Sequence, residues 1–393
     1  MPKHRERDPS ITVQDSSIAK APQASAGLRA RIQAIDLLRG SVMALMALDH
    51  TRDFFDGSGF NPRDVTDPAL FLTRWITHFC APTFIFLAGL SAYLYGLGRS
   101  VAELRRFLFF RGLWLILIEF TLVRFGWTFD LGFLHGSVAG VIWVIGASMV
   151  ALAALVYLPR FTIVVVALAM IAGHNLLDGI RPGDLGVAGS VWHVLHQPGR
   201  VHLGDGISVF VLYPLIPWVG VMAAGYVLGP VMQLEAAPRR RWLLCLGAAI
   251  TIGFVLLRAT NFYGDPAPWT VQETPLATVL SFLNCEKYPP SLLFLMMTLG
   301  PALMLLAVFD YVRGQLAGWL VTFGQVPFFF YVVHLYVIHG LAVAASLAMT
   351  NSPDLSLPGV YLVWLLVLVL LCPLCRWFTG LKQRRSEWWW SYL

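Results

Sequence analysis

The chain has 393 residues, 57% of them hydrophobic and 13% charged, with a net charge of +6. That balance excludes a soluble globular enzyme and matches a polytopic membrane protein. The basic residues sit between apolar runs, which excludes nucleic-acid binding. The five cysteines are scattered, and Cys372-Pro-Leu-Cys375 lies in an apolar run without a second pair, so it reads as small packing residues.

Residues 1–31 are polar and rich in Ser, Gln and Ala, with no early apolar run. A disordered cytoplasmic tail without a cleaved signal peptide is expected there. One transmembrane domain is expected over 32–380, then a short cytoplasmic tail over 381–393. Ten segments are apolar enough to cross a bilayer: 34–54, 70–97, 105–126, 136–158, 160–178, 207–229, 241–260, 291–312, 319–348 and 357–379. Lys and Arg concentrate in alternate loops. The N-terminal tail, Arg99, Arg105, Arg106, Arg160, Arg239-Arg240-Arg241, Arg313 and the C-terminal basic residues all fall on one side. The positive-inside rule therefore predicts an all-α, polytopic integral membrane helix bundle of about ten transmembrane helices, with both termini cytoplasmic.

The first segment carries the main chemistry. Arg39 and His50 are eleven residues apart, which returns them to one helical face roughly 16 Å apart along the axis. Asp36, three residues before Arg39, can pair with it. Arg39 alone reads equally as an anchor that snorkels to the interface. Around His50 stand Asp49, Arg52 and Asp53, and a carboxylate there can fix the imidazole tautomer of a general base.

In the second segment Arg74 and His78 are at i and i+4, on one face, either as a polar site or as an aromatic-belt terminus with Trp75. The third carries Glu119 deep in an apolar run, and Arg111 or Arg124 is its expected partner, in a structural pair or a substrate contact. Two long loops are expected on the exterior side. Loop 179–206 contains Asp184, His193, His196, His202 and Asp205, and loop 261–290 is rich in Pro and aromatic residues. The eighth segment begins Lys287-Tyr288-Pro289-Pro290-Ser291. Ser291 can cap that helix, whose N–H groups could receive an oxyanion, although an ordinary helix start with interfacial Lys and Tyr fits too. The ninth carries Tyr331, His334, Tyr336 and His339. The two histidines are five apart, too divergent to ligate one metal from a straight helix, but they mark a polar cavity.

Arg39-x10-His50, following Ile35-Asp36-Leu37-Leu38, resembles the first-helix motif of the acyltransferase-3 family of membrane O-acyltransferases. Further blocks are Asp36-x-x-Arg39-Gly40, Ala81-Pro82-Thr83-Phe84-Ile85-Phe86-Leu87-Ala88-Gly89, Lys287-Tyr288-Pro289-Pro290-Ser291 and His334-Leu335-Tyr336-Val337-Ile338-His339. With these the chain resembles bacterial relatives of heparan-α-glucosaminide N-acetyltransferase over residues 32 to 375. The resemblance implies transfer of an acyl, above all acetyl, group from cytoplasmic acyl-CoA to a sugar hydroxyl or amine on the exterior side. Acyl-CoA is then the co-substrate, an envelope or exported glycan the acceptor, and a bacterial inner membrane the location. No metal is expected, and a homodimer is an open option.

Carried onto this chain, Arg39 with Asp36 sits towards the CoA phosphates, His50 is the base, and Asp49 or Asp53 orients it. Arg74, His78, Lys287, Tyr288, Ser291, His334 and His339 are the candidate substrate-binding residues. In the animal relatives the position aligned with His50 is Asn, and their essential His lies further along. This chain has no His between His50 and His78, so direct transfer is expected rather than an acetyl-histidine intermediate. Two alternatives are a transporter or flippase using Glu119, His334 and His339 as a polar path, and a non-catalytic scaffold.

Overall fold

The computed structural model describes residues 21–55, 65–132, 135–204, 206–348 and 354–385. The expected tail positions 1–20 and 386–393, and the loop residue Asp205, lie outside the described residues.

The helices in chain order are α1 (Ala21–Phe55), α2 (Pro68–Thr77), α3 (Cys80–Gly96), α4 (Val101–Ile118), α5 (Arg124–Thr128), α6 (Val141–Leu155), α7 (Arg160–Ala172), α8 (Gly189–Leu195), α9 (Leu215–Leu228), α10 (Ala236–Thr260), α11 (Pro275–Leu283), α12 (Leu292–Val308), α13 (Gln315–Gln325), α14 (Pro327–Ala348) and α15 (Leu357–Arg384). Five helical stretches are long and apolar enough to cross a membrane: Pro68–Gly96, Leu215–Gln233, Ala236–Thr260, Pro327–Ala348 and Leu357–Arg384. Three more apolar helices are shorter, Val141–Leu155, Arg160–Ala172 and Leu292–Val308. Many of the expected segments are therefore broken or shortened. Pro327 separates α13 from α14, because proline cannot donate to the preceding turn. A π-helical turn, Glu119–Val123, interrupts the third.

A second departure from the all-α expectation is a three-stranded sheet of β1 (His135–Ala139), β2 (Gly199–Gly204) and β3 (Ile207–Val211), in the order β1-β3-β2. β1 runs parallel to β3, with Ser137 opposite Val209, and β2 runs antiparallel to β3, with Arg200 opposite Phe210. The segments expected at 136–158 and 207–229 thus each begin as a strand. Overall hydropathy does not separate a short apolar strand from a helix start. The inward faces of Ala139, Val209 and Val211 bury together with Trp143 and Val194 against them.

Helix α1 occupies the centre. Ala34, Leu37, Met43, Ala47 and Leu48 are buried, and α3, α13, α14 and α15 surround it. The approach of α13 depends on two glycines: a Cβ on Gly40 would stand 1.7 Å from the Leu320 carbonyl oxygen, and one on Gly324 would stand 1.8 Å from that of Asp36. Small residues permit such backbone contact, as is common between membrane helices. Outer faces of α10 and α15, with Leu256, Leu362 and Val369 exposed, present the apolar surface that a bilayer would cover.

Loop 261–290 folds around Arg258 at the end of α10. Its guanidinium is buried and donates to the carbonyls of Ala267, Ser281, Phe282 and Asn284, with the Asp265 carboxylate 3.6 Å away. A buried cation must be met by acceptors, and here the loop backbone supplies them.

Candidate active site

His50 on α1 meets His334 on α14. His50 Nδ1 lies 2.7 Å from His334 Nε2, and His334 Nδ1 lies 3.0 Å from the Phe330 carbonyl oxygen. A carbonyl only accepts, so His334 Nδ1 carries a proton and donates. In the neutral ring Nε2 is then an acceptor, and His50 Nδ1–H donates to it. This leaves Nε2 of His50 as the basic nitrogen. The two rings stack with centroids 5.0 Å apart, and Trp127 meets the edge of His50 at 4.8 Å. His334 is fully buried.

The carboxylates expected to orient His50 are engaged elsewhere. Asp49 accepts two bonds from Arg74 Nη1 at 2.6 and 2.8 Å, and Arg52 stands 3.1 Å from it. Asp53 accepts from Arg52 at 2.8 Å. For Asp49 the reason is angular: the residue next to His50 on a helix points about 100° away from it, here towards Arg74 on α2.

The structure nevertheless gathers most of the other candidates beside this dyad. Arg74 on α2 reaches Asp49, and the charges of Arg74 and Lys287 act on His50. Lys287 lies over the Tyr288 ring at 5.1 Å, and the Tyr288 hydroxyl is 3.4 Å from that of Tyr213. Burial opposes ionisation of Tyr288, but the Lys287 and Arg74 cations outweigh it and hold the phenol below its ordinary range, while Tyr213 is raised well above it by burial and by Tyr288. His78 is buried against Phe294, and its Nδ1 has no hydrogen-bond partner among the described residues.

Two candidates fall away from this group. Ser291 is the cap of α12: it accepts from Phe294 N and donates to Asp265 Oδ2 at 2.7 Å. Leu292 N donates to Asn175 Oδ1 and Leu293 N to the Gly264 carbonyl. The helix start expected to offer free N–H groups is therefore filled. His339 Nδ1 pairs with the Gly126 carbonyl at 2.9 Å, and its ring stacks on Phe129. Nor does Glu119 pair with Arg111 or Arg124. It accepts from Trp143 N at 2.7 Å and from the backbone of Gly140 and Ile142, so it caps α6, while Arg124 bonds Asp130. A carboxylate at a helix N-terminus meets several unpaired N–H groups at once, which a single distant cation cannot match.

From Arg39 a cavity of about 350 Å³ extends to Tyr331, whose ring lies 6.3 Å from that of His50. Arg39, Arg111, Lys382 and Gln325 contribute to its polar lining, and Met43, Met46, Phe84 and Leu108 to the apolar walls. Arg39 is held at 3.0 Å by Asp36, at 3.0 Å by the Gly324 carbonyl and at 2.9 Å by Ser91 Oγ. Sequence reasoning missed Arg111 and Lys382 as partners of Arg39. The signal is present, since a cation within an apolar segment usually faces a cavity, but in sequence Arg111 stands closer to Glu119 and Lys382 stands in the C-terminal basic cluster. Along the chain Tyr331 reads only as a neighbour of His334.

A cavity with three cations in its lining and Tyr331 beside the histidine dyad can hold a long, partly apolar anion with its far end near a proton acceptor. The family model described as heparan-alpha-glucosaminide N-acetyltransferase, catalytic, matches residues 31–261, more than half of the chain. No curated protein matches the chain.

Proposed function

This chain belongs to the heparan-α-glucosaminide N-acetyltransferase catalytic family, and from that premise we propose that it transfers an acetyl group from acetyl-CoA to a hydroxyl or amine of an exported or envelope sugar. The observation that carries this reading is the cavity joining Arg39, Arg111 and Lys382 to Tyr331 beside the dyad. The cations suit the CoA phosphates and the apolar walls suit the pantetheine arm. The thioester would then lie near His50.

Nε2 of His50 takes the proton of the acceptor as its oxygen or nitrogen attacks the thioester carbonyl. The carbon–sulfur bond breaks, the acyl group stays on the acceptor, and the proton leaves on the CoA thiol. The hydrogen bond from His50 Nδ1–H to His334 Nε2 steadies the imidazolium formed in between. Arg74, Lys287 and Tyr288 are the nearest polar groups for an acceptor sugar. The distribution of Lys and Arg supports an orientation with Arg39 cytoplasmic and His50 exterior in a bacterial inner membrane, so that transfer crosses the bilayer.

A transport path has less support, because Glu119 caps α6 and His339 is bonded to Gly126. The test is thiol release from acetyl-CoA by detergent-purified protein, alone and with candidate amino sugars. Release by the wild type that is lost in His50→Ala is the expected result. No release from folded protein with any sugar would overturn the proposal and direct effort to flux in proteoliposomes.

A further inference from the structure

Loop 179–206 carries His193, His196 and His202. In three dimensions one of them, His196, joins two residues from outside that loop, His174 and Asp178. One ligand atom from each of the three lies within 4.8 Å of the others. We propose that His174, Asp178 and His196 form a binding site for a divalent transition metal of the zinc class.

The donor set is two imidazoles and one carboxylate, a combination typical of zinc sites that keep a fourth position for water. Tetrahedral coordination at ordinary metal–ligand distances places ligand atoms about 3.4 Å apart, so small side-chain movements would close the site. His196 Nε2 already lies 3.0 Å from Asp178 Oδ1. The two rings are edge to face with centroids 5.7 Å apart.

The second observation is the state of the ring nitrogens. His174 is 1% exposed and His196 0%. Among the described residues neither nitrogen of His174 makes a well-formed hydrogen bond, nor does Nδ1 of His196, although the Pro290 backbone approaches His174. Buried imidazole nitrogens without partners are costly, and a cation bound between these side chains would take up one nitrogen of His174. The surroundings also resemble an outer shell. Asn175 Nδ2 donates to Asp178 Oδ2 at 2.9 Å, and Gln197 Nε2 donates to the Asp178 carbonyl at 3.4 Å. The first of these contacts orients the Asp178 carboxylate, and the second holds its backbone.

The site ties three elements together. His174 and Asp178 flank the turn after α7, and His196 ends α8. Asn175 uses its other amide atom, Oδ1, to accept from Leu292 N at the start of α12. A metal here would brace the exterior loop against the segment that carries Lys287 and Tyr288. This bracing does not depend on the reaction proposed above.

The test uses the untagged full chain in detergent. After exposure to zinc and desalting, the wild type should retain about one equivalent per chain. Cobalt should give the intense visible absorption of a tetrahedral site. Chelation should lower the thermal midpoint, and added zinc should restore it. His174→Ala/His196→Ala should bind neither metal, while His193→Ala/His202→Ala should bind both as the wild type does. Because the first variant could misfold, the chelated wild type is the second arm. If it shows no zinc uptake, no cobalt spectrum and no zinc-dependent midpoint, the proposal is overturned. Equal binding by a folded His174→Ala/His196→Ala protein overturns it as well.

Discussion

Nδ1 of His50 and Nε2 of His334 stand 2.7 Å apart across 284 positions of chain, joined by one proton. The direction of that proton follows from the Phe330 carbonyl at the far side of His334. A backbone oxygen thus sets which nitrogen of His50 is basic, two rings away.

His334 is therefore a positioning residue for the proposed base. His50→Ala should reduce acetyl-CoA turnover by about 10²–10⁴-fold, the usual contribution of a general base. His334→Ala should lower kcat by up to about a hundredfold through misplacement of His50, with KM for acetyl-CoA unchanged. His334→Gln retains an acceptor and should recover part of the loss. Steady-state kinetics with pH profiles checks this, and an unaltered kcat in His334→Ala would refute the coupling.

The three cations at the other end should act on binding. Arg39→Ala, Arg111→Ala and Lys382→Ala should each raise KM for acetyl-CoA roughly tenfold, the scale of one lost charge-assisted contact. Acetyl-pantetheine, which lacks the nucleotide phosphates, should be turned over equally by wild type and variants. If all three variants keep the wild-type KM for acetyl-CoA, the phosphates bind elsewhere.

Gly40 is demanded by the approach of α13. Gly40→Ala places a methyl against the Leu320 carbonyl and should destabilise the protein by about 1–3 kcal/mol. Gly318 lies on the same partner helix, and among the described residues nothing stands within 4 Å of a Cβ there. Gly318→Ala should be neutral, or stabilising by up to about 1 kcal/mol. Thermal unfolding in detergent distinguishes the two, and equal midpoints would show that the crossing yields easily.

The paired phenols give a pH signature. Tyr288 is held below the ordinary tyrosine range by Lys287 and Arg74 against the effect of burial, and Tyr213 is pushed well above it. A depressed folded-state value means that stability rises with pH between that value and about 10, the ordinary tyrosine pKa. The contribution is complete above the unfolded value and is lost as pH falls through the folded one. Tyrosinate absorbance should show one early-titrating phenol in the wild type that is missing in Tyr288→Phe. Identical titration curves would rule out the shift.

Several relationships were legible along the chain because they lie within one or two turns of helix. Asp36 and Arg39 are three apart and do pair at 3.0 Å. Arg74 and His78 share a helix end by the same arithmetic, and Ser291 was readable as a cap because serine before an apolar run accepts from the first turn. The apolar runs marked a membrane protein, since a bilayer requires long hydrophobic stretches whatever their packing. The same runs did not reveal the strands at His135–Ala139 and Ile207–Val211, because burial there comes from sheet pairing.

Tertiary structure decided which partner each polar group took. Asp49 chose Arg74 and Arg52, Glu119 chose the N–H groups of α6, and His50 chose a histidine on a distant helix. Sequence alone determined the membrane class, the helix-forming runs and the residue types able to do acyl-transfer chemistry, because these depend on composition and local spacing. The dyad, the cavity with its three cations and the His174–Asp178–His196 cluster arose only on packing. A buried polar group takes whichever partner the fold brings within about 3 Å, and helix crossings, not sequence distance, set that choice.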